Sequence, residues 1–125
     1  MSRKTKKKEN YLDYIPKHNS LIPFQEKDNG RIEVKKQNKG LFNGIAHLIF
    51  RRPKYSYIEL DDFGSFIWKQ IDGSRSIYDI GVFVKAQYGE SAEPLYERLI
   101  KFLHILRSNG FIVYVNLQNK NKKEN

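Results

Sequence analysis

The residues best suited to acid–base or metal chemistry in this chain of 125 amino acids are three histidines and one carboxylate pair. His18, His47 and His104 lie far apart, with no His-x-x-x-His or Glu-x-x-His spacing to set two ligands on one helical face, so no metal site is expected. Asp61 and Asp62 are adjacent and their side chains point apart, whereas paired catalytic carboxylates must converge on one bond; capping of a following helix accounts for Asp61. The chain has no cysteine, which removes thiolate nucleophiles, thiolate ligands and disulfides together and makes a reducing cytoplasm the expected setting. The glycines form no Gly-rich run between a strand and a helix, so no phosphate-cradling loop is expected. None of these residues is singled out for catalysis or for holding a cofactor.

Charge and hydropathy bound the binding classes. Hydrophobic residues make up 39% and aromatic residues 14%, enough for one core, and 125 residues leave no room for a second. The net charge of +9 would suggest nucleic acid or an anionic surface. Residues 1–10 carry five Lys or Arg against Glu9, and residues 118–125 carry three Lys against Glu124, so six of the nine net charges sit at the ends. The expected organisation is therefore a basic flexible segment over residues 1–17, one folded domain over 18–116, and a second basic segment over 117–125. The basic start leads into no apolar run, so neither a signal peptide nor an anchor is expected, and no run is long enough to cross a bilayer.

The elements that must carry any site are legible from periodicity. Residues 21–26 and 31–37 flank Lys27-Asp28-Asn29-Gly30, where Asn-Gly tolerates positive φ, and read as a β-hairpin. Residues 55–60 read as a third strand, with Ser56, Ile58 and Leu60 on one face and Tyr55, Tyr57 and Glu59 on the other. Between them, residues 40–53 place Leu41, Phe42, Ile45, Leu48 and Ile49 at helical spacing before Pro53.

Three capped helices follow. Asp61 starts the first, with Phe63, Phe66, Ile67 and Ile71 as its apolar stripe, and Asp72-Gly73 ends it. Ser76 and Asp79 form a capping box for the second, with Ile77, Ile80, Val84 and Tyr88 inward until Gly89. Ser91 is expected to cap the third, with Pro94 in its first turn and Leu95, Leu99, Phe102, Leu103 and Leu106 inward until Asn109-Gly110. Phe111 then opens a short strand. The fold class is α+β: an N-terminal three-stranded antiparallel sheet followed by a three-helix bundle, like a winged helix-turn-helix. The expected core is Phe63, Phe66, Ile67, Trp68, Ile80, Val84, Leu99, Phe102 and Leu106.

The stretch Leu60-Asp61-Asp62-Phe63-Gly64-Ser65-Phe66-Ile67-Trp68, then Ile71-Asp72-Gly73 and Ser76-Ile77-Tyr78-Asp79-Ile80, resembles the PqqD family. The likeness continues through Tyr88-Gly89 and the helix end Leu103-His104-Ile105-Leu106-Arg107-Ser108-Asn109-Gly110 to Phe111-Ile112. It covers residues 55–113 well and the hairpin loosely; residues 40–53 look like an insertion and the basic ends are extra. The resemblance implies a RiPP recognition element: a non-catalytic peptide chaperone of natural product biosynthesis. Such a protein binds the leader segment of a ribosomally made precursor peptide and presents it to a modifying enzyme, often a radical SAM enzyme. It further implies that the leader adds as a strand beside the third strand, in a groove lined here by Lys54, Tyr55, Ser56, Tyr57, Ile58, Glu59 and Leu60, with Tyr96, Ile100, Leu103 and Arg107 from the outer side of the third helix. Strand addition suits these residues, since an open edge supplies backbone N–H and C=O groups and alternate side chains supply specificity. Each tyrosine reads equally well as half-buried core.

The rival reading is a winged-helix DNA-binding protein. A groove-reading helix should be basic outside, yet the second helix offers Lys85 against Asp79, and the third Arg98, Lys101 and Arg107 against Glu93 and Glu97, so nucleic acid is the less favoured partner. The apolar stripe and Arg51-Arg52-Lys54 cluster of residues 40–53 would suit an anionic membrane surface, but covering the sheet is the simpler role. An open edge and three helices are compatible with a monomer or a dimer.

Overall fold

The structure is a computed structural model that describes residues 10–37 and 55–116. The helix expected over residues 40–53, Lys54, His47 and the basic segment 117–125 lie outside the described residues. The architecture is α+β: the described residues form a three-stranded antiparallel sheet, three helices and a two-stranded sheet. In chain order the elements are β1 (Pro16–His18), β2 (Phe24–Glu26), β3 (Ile32–Gln37), β4 (Tyr55–Glu59), α1 (Asp62–Gln70), α2 (Ile77–Tyr88), α3 (Leu95–Ser108) and β5 (Ile112–Tyr114). The described residues fall into two compact units, one of residues 20–65 and the other of the segments before and after it.

The unit of residues 20–65 holds the sheet β2-β3-β4. The hairpin turn closes with Lys27 N donating to Arg31 O at 2.8 Å, and Gly30 adopts φ 86°, where a side chain would be strained. Ile32 and Val34 alternate with Glu33 and Lys35, and only the former pair is buried. β4 pairs with β3 from Glu33 opposite Glu59 to Gln37 opposite Tyr55. The next pair, Ile32 and Leu60, is bonded on one side directly, Leu60 N to Ile32 O at 2.8 Å. On the other side the buried Ser65 hydroxyl of α1 is inserted: it accepts from Ile32 N at 2.9 Å and donates to Leu60 O at 3.1 Å. Asp61 caps α1 as expected, its carboxylate accepting from Gly64 N at 2.7 Å.

The second unit is built on α2, α3 and the β1–β5 pair. Ile67, Trp68, Ile80, Val84, Leu99 and Leu106 are buried as expected. Phe63, in the first unit, and Phe66 and Phe102, in this one, are only partly buried; on α3 the inward stripe runs Leu95, Leu99, Leu103, Leu106, so Phe102 falls on its flank. The Ser76–Asp79 capping box forms reciprocally at 3.1 Å in both directions. Gly81 is buried where the Tyr96 ring crosses α2, and a Cβ there would clash with the Cε1, Cζ and hydroxyl edge of that ring.

Two expectations are corrected here. Ser91 does not cap the third helix: it lies in a 3-10 turn over Gly89–Ala92 and donates to Tyr88 O at 2.7 Å. The residue before a proline is driven out of helical geometry, so Glu93 is extended, the helix starts after Pro94, and the Glu93 carboxylate accepts from Leu95 N at 3.0 Å. Nor does ordered structure begin at residue 18. Tyr11–Asp13 forms a 3-10 turn and Pro16–His18 pairs antiparallel with Ile112–Tyr114. Tyr14 packs on Tyr114 with centroids 5.0 Å apart, and the Asn116 side chain bonds Ile15 N at 3.1 Å and Asp13 O at 2.9 Å. His18 stacks on Trp68 at 4.3 Å with its Nε2 3.1 Å from Trp68 O, and burial lowers the imidazole pKa.

Two stability outcomes follow from these contacts. Ser65→Ala leaves a buried N–H and a buried C=O without their relay and should cost about 1–3 kcal/mol in chemical denaturation. Gly81→Ala should destabilise by about 1–3 kcal/mol through the clash with Tyr96. In a Tyr96→Ala background the same change should instead stabilise, by up to about 1 kcal/mol, because only the helix-propensity gain remains; equal effects in both backgrounds would refute the contact.

Candidate strand-addition edge and the outer face of the sheet

Along β4 and the residue after it the alternation is strict: Tyr55, Tyr57 and Glu59 are exposed, while Ser56 and Ile58 are partly buried and Leu60 is buried. The two faces read from the sequence are thus the observed ones. The hydrogen-bond ladder adds what periodicity alone does not. Leu60 N bonds to β3, so in this antiparallel pairing Ile58 and Ser56 also direct their N–H and C=O groups toward β3. Tyr55, Tyr57 and Glu59 consequently direct theirs to the opposite side. Lys35 N bonding Pro23 O, on the far side of β3, is consistent with that phase. Among the described residues no strand is paired along the outer edge of β4.

The exposed face has an ion-paired end and an aromatic end. At the first, Lys27 Nζ lies 2.8 Å from Glu59 and 3.8 Å from Glu33, and Arg31 lies 3.5 Å from Glu59 and 2.9 Å from Asp62. The hydrogen bond from Lys27 holds the Glu59 carboxyl below its ordinary pKa, and that from Arg31 does the same for Asp62. At the other end the Lys35 ammonium lies 4.1 Å from the centroid of the Tyr55 ring. A shallow depression of about 230 Å³ opens between, lined by Pro23, Phe24, Gln25, Glu33, Lys35 and Tyr57.

The third-helix residues named from the sequence have separate fates. Leu103 is fully buried and belongs to the inward stripe, so its placement on the outer side of the helix is corrected. Tyr96 packs back on α2, with its hydroxyl donating to Tyr78 O at 3.2 Å and its ring 6.1 Å from that of Tyr78. Arg107 is exposed, its guanidinium 5.4 Å from the Tyr114 ring. Ile100 is half-buried and lines a depression of about 450 Å³ with Tyr11, Glu97, Lys101 and His104. Lys27, Arg31 and Lys35 were not singled out from the sequence, although the alternation of Ile32 and Val34 with Glu33 and Lys35 carried the signal.

Other chemistry is sparse. Among the described residues no three His, Asp or Glu side chains are grouped to hold a metal ion. Asp61 and Asp62 serve as a cap and an ion-pair partner. Among the described residues, no helix is long and apolar enough to cross a membrane.

A family model described as coenzyme PQQ synthesis protein D (PqqD) matches residues 43–112, from within the segment read as an insertion to β5, and excludes the hairpin. Comparison with curated proteins and with solved structures gives no match.

The ladder phase has a direct readout. In hydrogen–deuterium exchange the Ile58 and Leu60 amides should be protected and those of Tyr57 and Glu59 should exchange at least tenfold faster; protection of all four would mean that the edge is covered.

Proposed function

Since this chain belongs to the PqqD family, whose members are accessory proteins of biosynthesis, we propose that it binds the leader segment of a ribosomally made precursor peptide by strand addition at β4 and presents it to a modifying enzyme. The observation that carries the reading is the phase of β4: Tyr55, Tyr57 and Glu59 turn their backbone donors and acceptors away from β3, along an edge where no described strand is paired. Backbone pairing supplies affinity without demanding a particular ligand sequence, and side chains flanking the edge then discriminate. The enzyme served is expected to be of the radical SAM class, as the family resemblance implies, and the adaptor itself contributes no catalytic group. Lys54 lies in the same segment of chain and belongs to the proposed contact region.

The test is an amide NMR titration of the full chain with the leader peptide encoded beside it and, separately, with duplex DNA at near-physiological salt. Peptide-only shifts in Tyr55–Glu59 are expected. A saturable response of the helices to DNA, with none to the peptide, would replace this reading with a winged-helix DNA binder. Tyr57→Pro removes one outward N–H while leaving the β3 ladder, and should weaken peptide binding at least tenfold; Tyr57→Ala, which keeps the N–H, should weaken it less.

A further inference from the structure

The geometry of the outer face points to a second layer of recognition: we propose that Tyr55 and Tyr57 read the side chains of the added strand, selecting peptides with aromatic or β-branched residues at alternate positions. This rests on strand addition at β4. In a strand, backbone direction and side-chain direction alternate together, so the residues that offer outward N–H and C=O groups are also the ones whose side chains lie on the exposed face. On β4 these are Tyr55, Tyr57 and Glu59. A peptide bonded to them must therefore set its directly opposite residues on that same exposed face, whichever two-residue register it takes.

The face is prepared for such side chains. Tyr57 is 61% exposed and Tyr55 43%, both large aromatic groups left in water on the outermost described strand. Directly opposite residues bring Cβ atoms within about 4.5–5.5 Å, and aromatic or β-branched partners are the favoured ones across such pairs. Lys35 already occupies one side of the Tyr55 ring, and Tyr57 lines the depression over β2 and β3. The third position differs, because the Glu59 carboxylate is already partnered by Lys27 and Arg31 and offers no aromatic surface. The selected pattern is two bulky residues separated by one, followed by a permissive position.

A display selection of random dodecapeptides on the full chain, followed by binding and amide-shift measurements on the enriched peptides, tests this. The expected result is enrichment of aromatic or β-branched residues at two alternate positions in peptides that shift the Tyr55–Glu59 amides. Tyr57→Ser should lose the preference at one position and bind the enriched peptides about two- to fivefold more weakly, with the β4 amide pattern unchanged, whereas Tyr57→Phe should keep both. Peptides that shift those amides but show no alternate-position preference would overturn the proposal and leave strand addition standing. If no enriched peptide shifts those amides, both readings fall.

Discussion

The hydroxyl of Ser65 occupies the place where the ladder between β3 and β4 would otherwise close, and the rest of the sheet depends on that insertion. By accepting from Ile32 N and donating to Leu60 O, it ties the start of β3, the end of β4 and the first turns of α1 in one buried relay. A hydroxyl is the smallest side-chain group that can do both at once. A one-residue slip of β4 would strand these partners and turn Ile58 and Leu60 to water while burying Tyr57 and Glu59. Fixing the register therefore also fixes which backbone groups of β4 face outward, and the proposed recognition edge inherits its geometry from a residue outside it.

The outer face of the sheet shows how polar side chains can sharpen the same choice. Glu59 sits between Lys27 and Arg31, which come from the two sides of the hairpin turn, so the correct register brings opposite charges together across three segments of chain. Each such pair is solvent-exposed and individually weak, but pairs made only in one register add to its selectivity more than to overall stability.

Much of this was legible in the sequence, and the exceptions are instructive. The capping box at Ser76 and Asp79, the cap at Asp61 and the two faces of β4 follow local rules, and local rules need only a few consecutive residues. The segment Pro16–His18 follows none of them: it has no alternation, begins with proline and becomes a strand through pairing with Ile112–Tyr114. Its partner lies almost a whole chain away, beyond the reach of any window. Leu103 was placed on both sides of its helix because a stripe of leucines flanked by Phe102 and Ile100 admits two inward arcs, and only packing chooses between them. The edge itself was legible as a strand but not as a donor–acceptor row, since the phase of a ladder is set by pairing and not by the sequence of one strand.

The clamp at Asn116 carries a consequence for the order in which the polypeptide becomes structured. Its bonds to Ile15 N and Asp13 O join positions separated by 101 and 103 residues, and β1 acquires its strand partner only from β5. By contrast, β2, β3 and β4 take their strand partners from one another within residues 20–65. As the chain leaves the ribosome, the sheet that would receive a ligand can pair while β1 is still waiting for the last described strand to emerge. β1 thus depends on a partner at the far end of the described chain, whereas β2, β3 and β4 pair among themselves.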